Sequence, residues 1–233
     1  MCFSASASFA SSALLIPAGI YSIRKALHIK KEYLLIASFI FIFALQQAVE
    51  GLVWLSFRRG GPEDIQFFSK IFLSFSYLIW PVLSPLALTL IEPSYLKRRS
   101  LALYTFLGLI FGCSIYLPLL LYAGWLDVSI INYSIFYNTR FIYDPYISKV
   151  FMGLIYAAII VGPMLIADNR HIRLFGLTVL VSGMVASFSF YHAFISVWCF
   201  FAGLLSLYII YILRKVSMLR PAGTLIHFRL KLE

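Results

Sequence analysis

The chain has 233 residues, 62% of them hydrophobic and 12% charged, with a mean hydropathy of +0.92 and a formal net charge of +10. Soluble domains carry roughly a quarter of their residues charged, so this composition excludes an ordinary soluble enzyme and indicates an all-α polytopic membrane protein. The basic residues cluster in short stretches beside apolar runs, where they set membrane orientation, and nucleic acid is not expected as a partner.

Three cysteines, Cys2, Cys113 and Cys199, are too few and too scattered for a disulfide framework or a CxxC metal site. No basic region precedes the first apolar segment, so no cleavable signal peptide is expected.

In chain order the apolar runs predict spans at about 6–23, 33–57, 67–91, 101–123, 146–167, 174–191 and 196–213. The first is rich in small residues such as Ser8, Ser11, Ser12 and Gly19, which suit close helix packing in lipid. Gly60, Gly61 and Pro62 close the second. The third carries Trp80-Pro81 and Ser84-Pro85, which predict a kink or an unwound stretch near its middle.

Segment 124–145 holds Trp125, Tyr133, Phe136, Tyr137, Phe141 and Tyr143, as expected of a segment in the headgroup region or of a lid. From Leu174 to Leu213 the chain stays apolar long enough to extend ~60 Å as one helix, twice the hydrocarbon thickness, so it must turn, near residues 191–196. These seven spans form one domain, 1–213, and a basic tail, 214–233, follows, its alternating end at 228–233 suited to the membrane surface.

Lys and Arg on alternate sides of the spans divide fourteen to five. Arg24, Lys25, Lys30, Lys31, Lys97, Arg98, Arg99, Arg170, Arg173, Arg214, Lys215, Arg220, Arg229 and Lys231 fall on one side. Arg58, Arg59, Lys70, Arg140 and Lys149 fall on the other. The positive-inside rule then places the N-terminus outside and the C-terminus in the cytoplasm. No internal repeat is visible, and seven spans do not divide into inverted halves.

Chemistry concentrates in the second span. Gln46, Glu50 and Trp54 step by four and share a helix face, with Gln47 and Gly51 beside it and Ala48, Leu52 and Leu55 opposite. A carboxylate at such depth is costly and marks either a functional site or a structural group hydrogen-bonded to a neighbouring helix, with Gln46 and Gln47 as interhelical glue. Glu50 lies about 10 Å below the outer end of its span, level with Tyr77, Trp80 and Ser84 of the kinked third span. A pocket between spans two and three, offered carbonyls by a broken helix, is therefore expected.

His192 is the one histidine outside the basic stretches, near Trp198 and Cys199; it reads either as a structural residue or as a member of the site. Cys2, Glu50 and His192 together supply three candidate zinc ligands, the number a catalytic zinc needs. Helical side chains tilt toward their helix N-terminus, which points Glu50 away from Cys2 and weakens that set. No histidine pair at ligand spacing and no Gly-x-Ser-x-Gly nucleophile motif is present.

Three stretches, Met1-Cys2-Phe3-Ser4-Ala5-Ser6-Ala7-Ser8-Phe9, Gln46-Gln47-Ala48-Val49-Glu50-Gly51-Leu52-Val53-Trp54 and Ser196-Val197-Trp198-Cys199-Phe200-Phe201-Ala202, resemble a family of bacterial multi-pass membrane proteins classed as a domain of unknown function. The resemblance implies a bacterial inner-membrane protein and draws attention to Cys2, Glu50, Trp54 and Trp198.

Two functions of different class are expected. In the first, an outward-facing pocket in the bilayer binds a small-molecule or lipid ligand, with Gln46, Gln47, Glu50, Trp54, Tyr77, Trp80, His192 and Trp198 as binding residues in a receptor-like or transport-related protein. In the second, a membrane-embedded metal-dependent hydrolase uses Glu50 and His192 as catalytic residues. A structural or assembly role is the third reading, and it predicts a filled space around Glu50.

Overall fold

The computed structural model describes residues 4–218. Helix α1 (Ala5–Ile29) starts at Ser4, whose hydroxyl accepts the Ala7 N–H at 3.3 Å and so satisfies one of the amides a helix start leaves open. After a 3-10 turn (Lys31–Tyr33), α2 (Leu34–Arg59) runs to Gly60, which takes φ of 73° and returns its N–H to Ser56. That left-handed conformation costs glycine least. Pro62 then opens α3 (Pro62–Ser74) where its missing N–H is not needed, with Glu63 and Asp64 at the positive end of the helix dipole.

The third span departs from regular α-helix near its middle, as the prolines lead one to expect, but it stays helical. A π-helical stretch (Phe75–Ile79) carries α3 directly into α4 (Trp80–Ile91). Pro81 and Pro85 give the preceding turns no N–H, and neighbouring helices take up the carbonyls instead. Ser76 O accepts the Tyr156 hydroxyl at 2.6 Å. Against Tyr77 O and Pro81 O lie two glycines of α5 (Tyr95–Leu121): a methyl group on Gly112 would stand 2.8 Å from the first oxygen, and one on Gly108 only 2.0 Å from the second. This small-residue spacing lets two backbones meet. The expectation that broken-helix carbonyls open onto a pocket between spans two and three is thereby corrected.

Segment 124–145 is a β-hairpin. Strand β1 (Leu126–Ile131) pairs antiparallel with β2 (Ser134–Thr139), Ile131 opposite Ser134 and Leu126 opposite Thr139. Asn132 and Tyr133 both have positive φ, 49° and 57°, the backbone of a two-residue turn whose twist matches that of the strands. Along β2 the buried Ile135, Tyr137 and Thr139 alternate toward the bundle, and Tyr137 stacks on Phe72 with ring centroids 5.0 Å apart.

Beyond the hairpin come α6 (Lys149–Ile166), α7 (Arg170–Ser189), a second 3-10 turn (Tyr191–Ala193), α8 (Phe194–Leu205) and α9 (Tyr208–Met218). Seven helical rods are long and apolar enough to cross a bilayer, α3 with α4 forming one of them and α8 with α9 another. The long apolar run reverses at 190–193, at the leading edge of the expected turn and without glycine or proline. Arg24 and Lys25 lie on α1 rather than in a loop. Cys2 and the tail residues Arg220, Arg229 and Lys231, with the alternating stretch 228–233, lie outside the described residues.

The connections gather at two ends. At one, Gln66 of α3 donates to Leu126 O at 3.1 Å and Phe136 of β2 meets the His192 ring edge-on, so the hairpin touches both α3 and the α7–α8 turn. At the other, buried Glu92 accepts the backbone N–H groups of Ser94 and Asp168, each at 3.4 Å, and Lys97 pairs with Asp168. The Lys97 ammonium hydrogen-bonded to Asp168 holds its carboxyl below the usual aspartate range.

Candidate functional site

Gln46, Gln47 and Glu50 are fully buried on α2, as the four-residue stripe requires, while Ala48 and Leu52 are partly exposed. One oxygen of Glu50 accepts the hydroxyl of Ser196, and the other accepts Gln47 Nε2 at 3.2 Å. Beside this pair runs a second chain of contacts. Trp80 Nε1 donates to Gln46 Oε1 at 2.7 Å, Gln46 Nε2 donates to Ser76 Oγ at 3.1 Å, and Ser76 Oγ meets Cys199 Sγ at 3.5 Å. An indole N–H can only donate, which fixes the Gln46 amide with its oxygen toward Trp80.

The layer is closed by packing. Trp80 stacks on Phe43 with centroids 3.9 Å apart and meets Phe39 edge-on at 5.3 Å. A methyl group on Gly51 would stand 2.8 Å from the Phe9 ring, and one on Gly19 2.7 Å from the backbone of Phe41. Small residues on α1 and α2 therefore bring the two helices into direct contact. Gln47 Oε1 and Trp54 Nε1 are buried with no hydrogen-bond partner among the described residues. The space around Glu50 is filled, and in place of the expected pocket Phe39 and Phe43 of span two and Trp80 and Ser84 of span three border a void of just ≈ 40 Å³.

Open space lies on the other side of Ser76 and Cys199. A cavity of ≈ 590 Å³ is bounded by the π-helical stretch, α5, α6, α7 and the start of α8, and the hairpin covers it. Its walls are mainly apolar, from residues such as Phe111, Ile115, Met152, Leu180 and Met184. Its polar groups gather under the hairpin: Tyr77, whose hydroxyl is 3.0 Å from Thr139 Oγ1, then Asn138, Lys149 and His192. Lys149 Nζ donates to Thr139 O at 2.9 Å and reaches Asn138 Oδ1 at 3.5 Å.

Of the expected binding residues, Tyr77, His192 and Trp198 line this cavity, whereas Gln46, Gln47, Glu50, Trp54 and Trp80 do not. Trp198 donates its indole N–H to Val179 O at 3.1 Å and packs over Gly183, where a methyl group would stand 2.9 Å from the ring. Trp80 and Trp198 instead share a separate apolar void of ≈ 40 Å³.

Glu50 and His192 occupy different places. The carboxylate is enclosed by Ser196 and Gln47; the imidazole is exposed at the cavity rim, edge-on to Phe136 with centroids 5.8 Å apart. Among the described residues no three His, Cys, Asp or Glu side chains converge as metal ligands, and Cys2 lies outside them. The cavity residues not anticipated from sequence include Lys149, Asn138, Thr139, Tyr156, Gly183 and Met184. The one signal available for them was Lys149 at the head of an apolar span, directly after an aromatic segment.

Fold and site together define a helical protein with seven rods long and apolar enough to cross a bilayer, a sealed polar layer and a hairpin-covered cavity. The chain belongs to a family of unknown function, DUF6629, whose model matches residues 1–223. No curated protein and no solved structure matches it.

Proposed function

We propose that this is a multi-pass protein of a bacterial inner membrane, N-terminus outside and C-terminus cytoplasmic, that binds a small amphipathic ligand in the cavity beneath the hairpin. Its role is receptor-like or transport-related. The observation that carries the reading is the cavity itself: ≈ 590 Å³ falls within the range of ligand sites, ~300–1,000 Å³, and apolar walls with a few clustered polar groups are the usual composition of such sites. Tyr77, Lys149 and His192 are the polar contacts, and Trp198 forms part of the floor. Glu50 supports the floor from behind through Ser196, one turn of α8 before Cys199, rather than touching ligand.

The orientation rests on charge. The hairpin end carries Arg58, Arg59, Lys70, Arg140 and Lys149, while Lys30, Lys31, Lys97, Arg98, Arg99, Arg170 and Arg173 lie in or beside the connections at the other end. A thermal-unfolding screen of purified protein in detergent against single-chain amphiphiles tests the binding. At least one class of amphiphile raises the wild-type Tm, and Ala157→Trp, which fills the cavity, removes the shift. If no amphiphile moves the wild type, or Ala157→Trp responds as the wild type does, the reading fails.

A further inference from the structure

Helices α6 and α7 are joined by the short turn 167–169 and pressed together close to it, where a methyl group on Gly176 would stand 2.6 Å from the Met164 side chain. Toward the hairpin they face each other across the cavity instead. Val150, Gly153, Leu154 and Ala157 line it from one side, and Leu180, Gly183, Met184 and Ser187 from the other. A methyl group on Gly153 would meet nothing within 4 Å. Leu154 and Met184 line the cavity and are yet 62% and 46% exposed, so the wall between the two helices has an opening.

What surrounds that opening decides what passes through it. Phe151, Val181, Val185 and Phe188 are exposed on the outer surface of the same two helices, Phe188 at 89%, so the opening gives onto an apolar belt. Ala157, deep in the cavity, lies about 12 Å along α6 from Lys149. Lys149 stands at the hairpin rim, bonded only to the neutral acceptors Thr139 O and Asn138 Oδ1, and forms no ion pair among the described residues. The nearby acid Asp144 is engaged by the Phe141 N–H at 3.0 Å.

We infer that the gap between α6 and α7 is a lateral portal, through which one acyl chain of an anionic phospholipid enters the cavity while its phosphate is held at Lys149. The inference rests on the proposed membrane-spanning, ligand-binding reading and names its ligand. The chain follows an apolar path from the bilayer without crossing water, and a lysine beside a cavity mouth gives the phosphate a charge-assisted partner.

The test is photocrosslinking of the full-length protein in phosphatidylcholine vesicles containing a diazirine in the acyl chain of either phosphatidylglycerol or phosphatidylcholine. The phosphatidylglycerol probe is expected to label the cavity residues Met152 and Leu180, and Ala157→Trp to abolish that label. Lys149→Gln is expected to lower it about ten-fold, the size of one lost charge-assisted contact, to the level of the phosphatidylcholine probe. Helical content by circular dichroism confirms folding of each variant, and Met184→Trp at the rim gives a second block should Ala157→Trp not fold. Labelling confined to outward residues such as Leu103 and Phe106 overturns the portal. Equal labelling by both probes, unmoved by Lys149→Gln, overturns the assignment of Lys149 to an anionic headgroup. If amphiphiles added from water still stabilise the wild type and not Ala157→Trp, only the lipid portal has failed and the ligand-binding cavity stands.

Discussion

Two neighbouring regions of the bundle use similar residues to opposite ends. Around Glu50, two glutamines, two serines, a tryptophan and a cysteine are linked by hydrogen bonds to one another and to the carboxylate, and glycines on α1 and α2 let helices close until a void of just ≈ 40 Å³ is left beside Trp80. Around Tyr77, a tyrosine, a lysine and a histidine stand under a hairpin with ≈ 590 Å³ beside them. Ser76 and Cys199 form the partition, bonded to the first region and lining the second. A polar side chain in an apolar helix thus marks a need for a partner, and its surroundings decide whether that partner is protein or ligand.

Variants that overfill or unpair the sealed region should cost stability, and those in the open region should cost binding. Gly108→Leu has the largest expected effect, because its side chain meets a backbone carbonyl that cannot move aside: a loss of more than about 3 kcal/mol in detergent unfolding, or no folded protein. Glu50→Ala strips partners from Ser196 and Gln47 and is expected to cost about 2–3 kcal/mol, whereas Glu50→Gln, which keeps an acceptor for Ser196, costs less. Equal losses for the two would show that packing rather than hydrogen bonding holds that layer.

Trp80→Phe removes the indole donor to Gln46 while keeping a ring against Phe43, for an expected loss of about 1–2 kcal/mol by the same measurement. Ala157→Trp sharpens the contrast, since filling empty space leaves unfolding within about 1 kcal/mol of wild type while removing the amphiphile-induced Tm shift. A destabilisation as large as that of Glu50→Ala would mean that the cavity wall tolerates no filling.

The smallest effect belongs to the exposed Lys97–Asp168 pair at the far end. The folded-state value of Asp168 is depressed, so the pair's contribution is complete above the ordinary aspartate range and fades as pH falls through the lowered value. Unfolding midpoints should therefore drop slightly more in acid for the wild type than for Asp168→Asn, and a difference that grows above neutral pH would contradict the assignment.

Much of the fold was legible. Apolar runs and basic punctuation gave seven rods, Gly60 and Pro62 gave a helix stop and start, and the four-residue stripe on α2 predicted which residues are buried. The hairpin was not legible, because its turn uses Asn132-Tyr133 in place of the usual Asn-Gly and its aromatic residues also fit a membrane interface. Nor was the fate of the proline-freed carbonyls, which depends on Gly108 and Gly112, residues far along the chain whose spacing is common in apolar helices.

The sequence by itself determined seven stretches apolar enough to cross a bilayer, the helices, and the need of Glu50 for partners, because hydropathy, caps and the cost of a buried carboxylate are local properties. Only the tertiary structure decided that those partners are Ser196 and Gln47, and that the empty space lies beyond Cys199 between α6 and α7. Where helices touch and where they part is set by the fit of surfaces distant in the chain, which no stretch of residues carries alone.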